Sequence, residues 1–260
     1  MRSHRQNPKP MTKTKILMGM HITVEIVGTA LVNSTIEKVF SYFNYIDEKF
    51  STYKKTSEIT KINEGKLRET EYSEDMKNVL SLCKKTKDET GGYFDILISD
   101  ESCDPSGLVK GWAIHNASKI LLEDGFENFY IDAGGDIQVH GYNAEGRTWS
   151  LGIKNPFNQK EIVKVIYAQN EGIATSGTYI RGQHIYNPKN RDERITEIVS
   201  LTVVGPNVYE ADRFATAAFA MGRKGILFVE KLPGFEGYMI DKNGTATMTS
   251  GFEKYTKTNV

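Results

Sequence analysis

Apolar positions recur three and four residues apart between residues 36 and 50, where Ile36, Val39, Phe40, Phe43, Ile46 and Phe50 fall on one side of a helical wheel. The spacing predicts an amphipathic helix with those six side chains in the core, and Ser34 with Glu37 just ahead of them reads as a capping box. A second helix is predicted from Ser73 toward Thr90, with Met76, Val79, Leu80 and Cys83 inward. Gly91 and Gly92 end it, because left-handed backbone costs glycine little. A third helix should run from about Gly107 to Glu123, carrying Leu108, Trp112 and Leu121, and stop at Gly125. A fourth should open near Glu210 and Ala211 and reach Met221, since alanine-rich sequence with acids at its start suits a helix and its dipole. A short helix is expected around residues 226–231.

Between these lie β-branched and aromatic runs of strand length at residues 22–27, 129–131, 137–139, 149–153, 162–167 and 199–204. The turn-rich stretch Asp132-Ala133-Gly134-Gly135-Asp136 joins two of them, and Asn243-Gly244 marks a terminal hairpin. Helices interspersed with consecutive strands favour an α+β protein over a doubly wound sheet. No repeat, low-complexity tract or linker divides the chain, so residues 16–260 are expected as one domain of one or two lobes. Residues 1–15 carry Arg2, Arg5, Lys9, Lys13 and Lys15 and are expected as a disordered tail.

Charge narrows the function. Lys and Arg number 33 and Asp and Glu number 33, so the formal charge is zero, with none of the basic excess that releases counterions from a nucleic acid. No apolar stretch approaches the roughly 18 to 20 residues that cross a bilayer, which argues against an integral membrane protein. The basic start is not followed by an apolar run with a small-residue cleavage site, so it does not read as a secretory signal. Two cysteines, Cys83 and Cys103, are too few for a disulfide framework, and a cytoplasmic location is expected.

Candidate chemistry clusters beside glycines, where loops carry function. Neither a Walker loop nor Gly-x-Gly-x-x-Gly is present, and no Gly-x-Ser-x-Gly elbow supports a serine hydrolase. Asp212 and Thr216 stand four apart, so on a helix both oxygens face one way and could share a hard cation such as Mg²⁺. The competing reading makes Asp212 a helix cap and Thr216 an ordinary threonine. Asp104 and Lys110 flank a glycine-containing turn into a helix, either an anion site or a cap with a solvated lysine. Thr175-Ser176-Gly177 offers hydroxyls for phosphate or plain turn chemistry. His184 follows Arg181-Gly182-Gln183, and a histidine is the side-chain type that can orient a group or exchange a proton near neutrality.

The order and spelling of the clusters resemble the FAD:protein FMN transferase family, the ApbE proteins once labelled thiamine biosynthesis lipoproteins, in a short form without a signal peptide. The matching pieces are Met18-Gly19, residues 50–54 with 57–59 and 62–63, Gly92-Tyr93-Phe94-Asp95, residues 104–113, residues 132–137, Ala174 to Gly177, residues 181–185 with Asn187-Pro188, and residues 211–217. The resemblance implies an ApbE-like, T-fold-related α+β globule with helices packed on antiparallel sheets. It implies transfer of the FMN moiety of FAD, with Mg²⁺, to a Thr or Ser hydroxyl of an acceptor flavoprotein bearing an Asp-x-x-Ser/Thr-Gly-Ala-Ser/Thr-like segment, releasing AMP. It maps metal ligation to Asp212, Thr216 and the Gly107 carbonyl. Contacts to FAD map to Met18, Tyr53, Tyr93, Phe94, Asp95, Asp104, Lys110, Ser176 and His184, and catalytic roles to Asp212, Lys110 and His184. The stretch between Asp95 and Asp104 is shorter than in many relatives. An FAD pyrophosphatase giving FMN and AMP, and a flavin-binding protein without turnover, are the competing functions.

Overall fold

Eight strands pair antiparallel into one sheet, with helices on one face and a separate hairpin on part of the other. The computed structural model describes residues 9–28, 31–99, 102–178, 185–191 and 194–257. In chain order its elements are β1 (Pro10–Leu17), β2 (Met20–Val27), α1 (Val32–Phe50), α2 (Glu58–Asn63), α3 (Glu74–Glu89), β3 (Leu97–Ser99), β4 (Ser102–Cys103), α4 (Ser106–Glu123), β5 (Phe129–Ala133), β6 (Asp136–His140), β7 (Trp149–Asn155), β8 (Asn158–Ala168), β9 (Gly172–Gly177), β10 (Ile198–Gly205), α5 (Val208–Ala220), α6 (Gly225–Val229), β11 (Glu236–Asp241) and β12 (Ala246–Met248). The sheet runs β1-β2-β5-β6-β9-β10-β11-β12, while β3-β4 and β7-β8 form two-stranded ribbons of their own.

Alternation along β2 turns Ile22, Val24 and Ile26 to the helical side, where they meet Ile36, Phe40 and Phe43 of α1 and Leu108 of α4 in one apolar cluster. All six apolar positions anticipated on α1 are buried. Across the other half of the sheet, alanines and Phe219 of α5 pack with Leu201 and Val203 of β10. The opposite face there is covered by Trp149, Leu151 and Ile153 of β7 together with Phe252 and Tyr255.

Four local expectations are revised. Residues 10–15 of the expected tail belong to β1, which pairs with β2 along its full length; its lysines make it a strand suited to a sheet edge. The capping box does not form, because the helix starts at Val32 and leaves Ser34 inside the first turn, donating to the Leu31 carbonyl at 2.8 Å. Glu37 is drawn instead to Lys13 and Lys15 of β1, at 3.0 and 2.6 Å. Thr175-Ser176-Gly177 is not a turn but the end of β9, between β6 and β10. Finally, α5 begins at Val208 rather than Glu210, with Asn207 as its cap, accepting from the Glu210 amide.

The start of α5 is fixed from two sides. Gln138 of β6 accepts from the Val208 amide at 2.9 Å, and Gly172 of β9 lies so close that a Cβ there would come within 1.8 Å of the Val208 nitrogen. Gly172→Ala should therefore destabilise the protein by about 3 kcal/mol or more, overwhelming the small gain from a stiffer unfolded chain. Urea unfolding checks this; a loss below about 1 kcal/mol would show that β9 and α5 can separate freely.

Candidate active site

Glycine lets α4 and α5 touch. A Cβ on Gly111 would meet the Asp212 Cβ at 2.6 Å and the Val208 carbonyl at 2.8 Å, so only glycine allows this approach. Across it the Gly111 amide donates to Asp212 Oδ2 at 2.8 Å, and Thr216 Oγ1 donates to the Gly107 carbonyl at 3.3 Å. Gly107 and Gly111 stand one turn apart on α4. Each has a side-chain partner from α5, which ties Asp212, Thr216 and the Gly107 carbonyl into one small set of oxygens.

Lys110 adds the charge. Its ammonium lies 2.7 Å from Asp136 Oδ2 and 3.8 Å from Asp212 Oδ1. Asp136 opens β6 after the tight turn at Gly134 and Gly135, whose φ angles of +63° and +97° suit glycine. Its other oxygen accepts from the Thr175 amide of β9 at 3.1 Å. Both carboxylates are almost wholly buried. Burial pushes the Asp212 carboxyl well above the usual carboxylate range; the Lys110 ammonium opposes the rise and the Asp136 charge adds to it.

The oxygens sit at one end of a cleft of about 320 Å³. Tyr93, Phe94, Asp95 and Asp104 line it, with Gly107, Lys110, Asp212 and Thr216 at its floor and Gly134, Thr175 and Ser176 on the sheet side. Asp104 accepts from the Ser106 amide at 2.9 Å, fixing the entry to α4, and Asp95 is paired with Lys87 at 2.8 Å. Arg213, next to Asp212, points away from the cleft into α3. It is buried, bonded to Glu89 and Glu210, and its guanidinium lies 3.9 Å from the centre of the Phe214 ring. It anchors the helix that presents Asp212.

Most of the residues singled out from the sequence converge here. Met18 and Tyr53 do not line the cleft. Met18 occupies the β1–β2 turn with φ 53° and packs against the apolar cluster of α1 and α4. Tyr53 follows the end of α1 and is 96% exposed. His184 and Arg181 lie outside the described residues. The reading of Asp212 as a helix cap gives way to Asn207. Asp136 is the site carboxylate to which the sequence assigned no role of its own: standing in a turn-rich stretch after Gly-Gly it reads as turn chemistry, and only its register beside β9 brings it to Lys110.

The donor set fits a magnesium ion. Carboxylate, hydroxyl and carbonyl are hard oxygen donors, and Mg²⁺ is commonly held by one or two carboxylates with phosphates and waters completing its shell. Two buried carboxylates against one ammonium leave negative charge for a cation to neutralise. Among the described residues no group of three His, Cys, Asp or Glu side chains forms a cage.

The raised Asp212 carboxyl has a consequence for metal-free protein. The folded chain keeps the proton to higher pH than the unfolded chain, whose value is about 3.9. The stability this contributes is complete below that value and is lost as pH rises through the folded one. An Asp212→Asn variant cannot titrate there, so its melting temperature should pull ahead of wild type between about pH 5 and pH 8. Thermal melts in chelator measure the difference; one independent of pH would contradict the shift.

The sequence profile of the ApbE family matches residues 18–102 and 99–239. The chain is 29% identical over 161 residues to a FAD:protein FMN transferase of Klebsiella pneumoniae (strain 342), covering 58% of this chain and 46% of that one, so it spans about half the length of that relative. It is 24% identical to the FAD:protein FMN transferase of Haemophilus influenzae, covering 88% of this chain and 86% of that one. Among solved structures, the flavin transferase ApbE from Vibrio cholerae superposes with a TM-score of 0.83 at 20% identity, over 95% of this chain and 99% of that one. The ApbE protein from Thermotoga maritima gives 0.85 at 20% identity, over 96% and 100%. These likenesses show the shared α+β fold. No helix among the described residues is long and apolar enough to cross a membrane.

Proposed function

Because the chain belongs to the ApbE family, we propose that it is a Mg²⁺-dependent transferase that moves the FMN moiety of FAD onto a threonine or serine hydroxyl of an acceptor flavoprotein and releases AMP. The observation that carries this reading is the meeting of Asp212, Thr216, the Gly107 carbonyl and Lys110 at one end of a cleft walled by Tyr93 and Phe94. Hard oxygen donors and a cation of the kind that binds a diphosphate meet at one end of the cleft, with aromatic side chains beside them. The transferase names of the relatives support it.

Asp212, Thr216 and the Gly107 carbonyl would hold the metal. A magnesium ion bound there supplies Lewis-acid stabilisation of the charge that develops on the phosphate oxygens. Lys110 adds a fixed positive charge at the same end, and Asp136 aims that ammonium by pairing with it. The acceptor oxygen forms a bond to the FMN phosphorus as the bridging P–O bond breaks, and AMP leaves with the bonding electrons. The hydroxyl proton passes to a base, the role assigned to His184 or a cleft carboxylate. Asp104, Asp95 and Ser176 position substrate along the walls. Cys83 and Cys103, both free thiols, agree with a cytoplasmic setting.

The test is incubation with FAD, Mg²⁺ and an acceptor flavoprotein carrying an Asp-x-x-Thr-Gly-Ala-Thr segment, followed by mass spectrometry. Transfer leaves FMN covalently on the acceptor with AMP in solution. Free FMN with unmodified acceptor would identify a pyrophosphatase instead, and FAD bound without AMP release a flavin-binding protein.

A further inference from the structure

The mouth of the cleft is formed by two stretches far apart in sequence. Ile96 and Ile98 stand on one side, and Ile185, Tyr186 and Pro188 on the other. The first side is the β3–β4 ribbon, which carries Ile98, with Ile96 just ahead of it, and which has no hydrogen-bonded neighbour in the eight-stranded sheet. A two-stranded ribbon is marginal by itself, so outside contacts must set its position. At its base, Asn63 of α2 brackets Cys103, donating to the carbonyl at 2.9 Å and accepting from the amide at 3.0 Å.

The other strand, whose Leu97 pairs across the ribbon with Cys103, is held differently. Arg191 Nη1 donates to the Ile98 carbonyl and Nη2 to the Leu97 carbonyl, each at 2.7 Å. The Tyr186 hydroxyl donates to the same Leu97 oxygen at 3.0 Å, using its second lone pair. The Arg191 guanidinium lies 5.4 Å from the centre of the Tyr186 ring, and the Lys189 ammonium lies 4.3 Å from that of Tyr93. A planar fork on two successive carbonyls fixes direction as well as distance, which a lysine cannot reproduce.

We infer that Arg191 and Tyr186 form a clasp that holds the β3–β4 ribbon against residues 185–191 and so presets the cleft mouth for FAD. They are positioning residues: Arg191 stands behind the wall and Tyr186 is part of it, both at a distance from the oxygens at the floor. With the clasp in place the wall is ordered before substrate arrives; without it, binding must bear the cost of ordering the ribbon. The effect should fall on FAD affinity and spare the chemical step. This rests on FAD being the substrate.

Arg191→Ala, Arg191→Lys and Tyr186→Phe provide the test, read by amide hydrogen exchange in the free protein, by FAD titration, by steady-state kinetics and by thermal melting. The expected result for Arg191→Ala is faster exchange at residues 97–99, 102 and 103, FAD binding weaker by about tenfold, kcat at saturating FAD within about twofold of wild type, and an unchanged melt. Arg191→Lys should fall between the two in exchange and affinity, and Tyr186→Phe should show a smaller change of the same kind. Unchanged exchange, or faster exchange with unchanged FAD affinity, would overturn the clasp. Wild-type protein that bound no FAD would overturn the reading of the substrate itself, an outcome visible before any variant is compared.

Discussion

Replacing Asp212 by asparagine is expected to slow flavin transfer by about a thousandfold or more while leaving the protein folded. Asparagine keeps the volume between α4 and α5 and retains an oxygen to accept from the Gly111 amide, so the packing that depends on this contact survives. What disappears is the buried negative charge, the one carboxylate in the proposed set of metal-holding oxygens. Titration of Mg²⁺ or Mn²⁺ should show affinity falling in parallel with rate. Metal-dependent transfer within tenfold of wild type would remove Asp212 from its assigned place.

Lys110→Met should separate two properties that usually move together. The ammonium neutralises one of two buried carboxylates, so Asp136 and Asp212 when ionised leave a net charge of −1 with it and −2 without it. Removing it should tighten divalent metal binding, because the attraction between unlike charges grows in a site shielded from water. Transfer should nevertheless fall by about a hundredfold or more, since the fixed cation facing the diphosphate is gone. Calorimetric metal titration paired with initial rates tests both signs. Weaker metal binding in this variant would mean that Lys110 supports the metal oxygens by packing and not by charge.

How much of this was legible beforehand depended on whether the signal was local. The apolar face of α1 is written at helical spacing, and packing against β2 and α4 left it unchanged. β9 was opaque because Gly-Ile-Ala-Thr-Ser-Gly has glycines at both ends and no polar alternation; it is a strand because β6 and β10 pair with it from both sides. β1 was opaque for the opposite reason, being polar and basic as an edge strand requires. At the site, the four-residue spacing of Asp212 and Thr216 announced a shared face, but nothing local announced the pairing of Asp136 with Lys110, which it reaches through sheet register. The motif order brought Tyr93, Phe94, Asp95 and Asp104 to the cleft, yet Met18 and Tyr53 match the family pattern without reaching it.

If the α4–α5 oxygens hold a divalent ion against the diphosphate of FAD in this cleft, the ³¹P spectrum of FAD bound to the protein should report it as Mn²⁺ is added in place of Mg²⁺, with Asp212→Asn as the comparison. Both phosphorus resonances should broaden sharply with wild type and remain narrow with the variant. Equal broadening in the two proteins, or none in either, would contradict it.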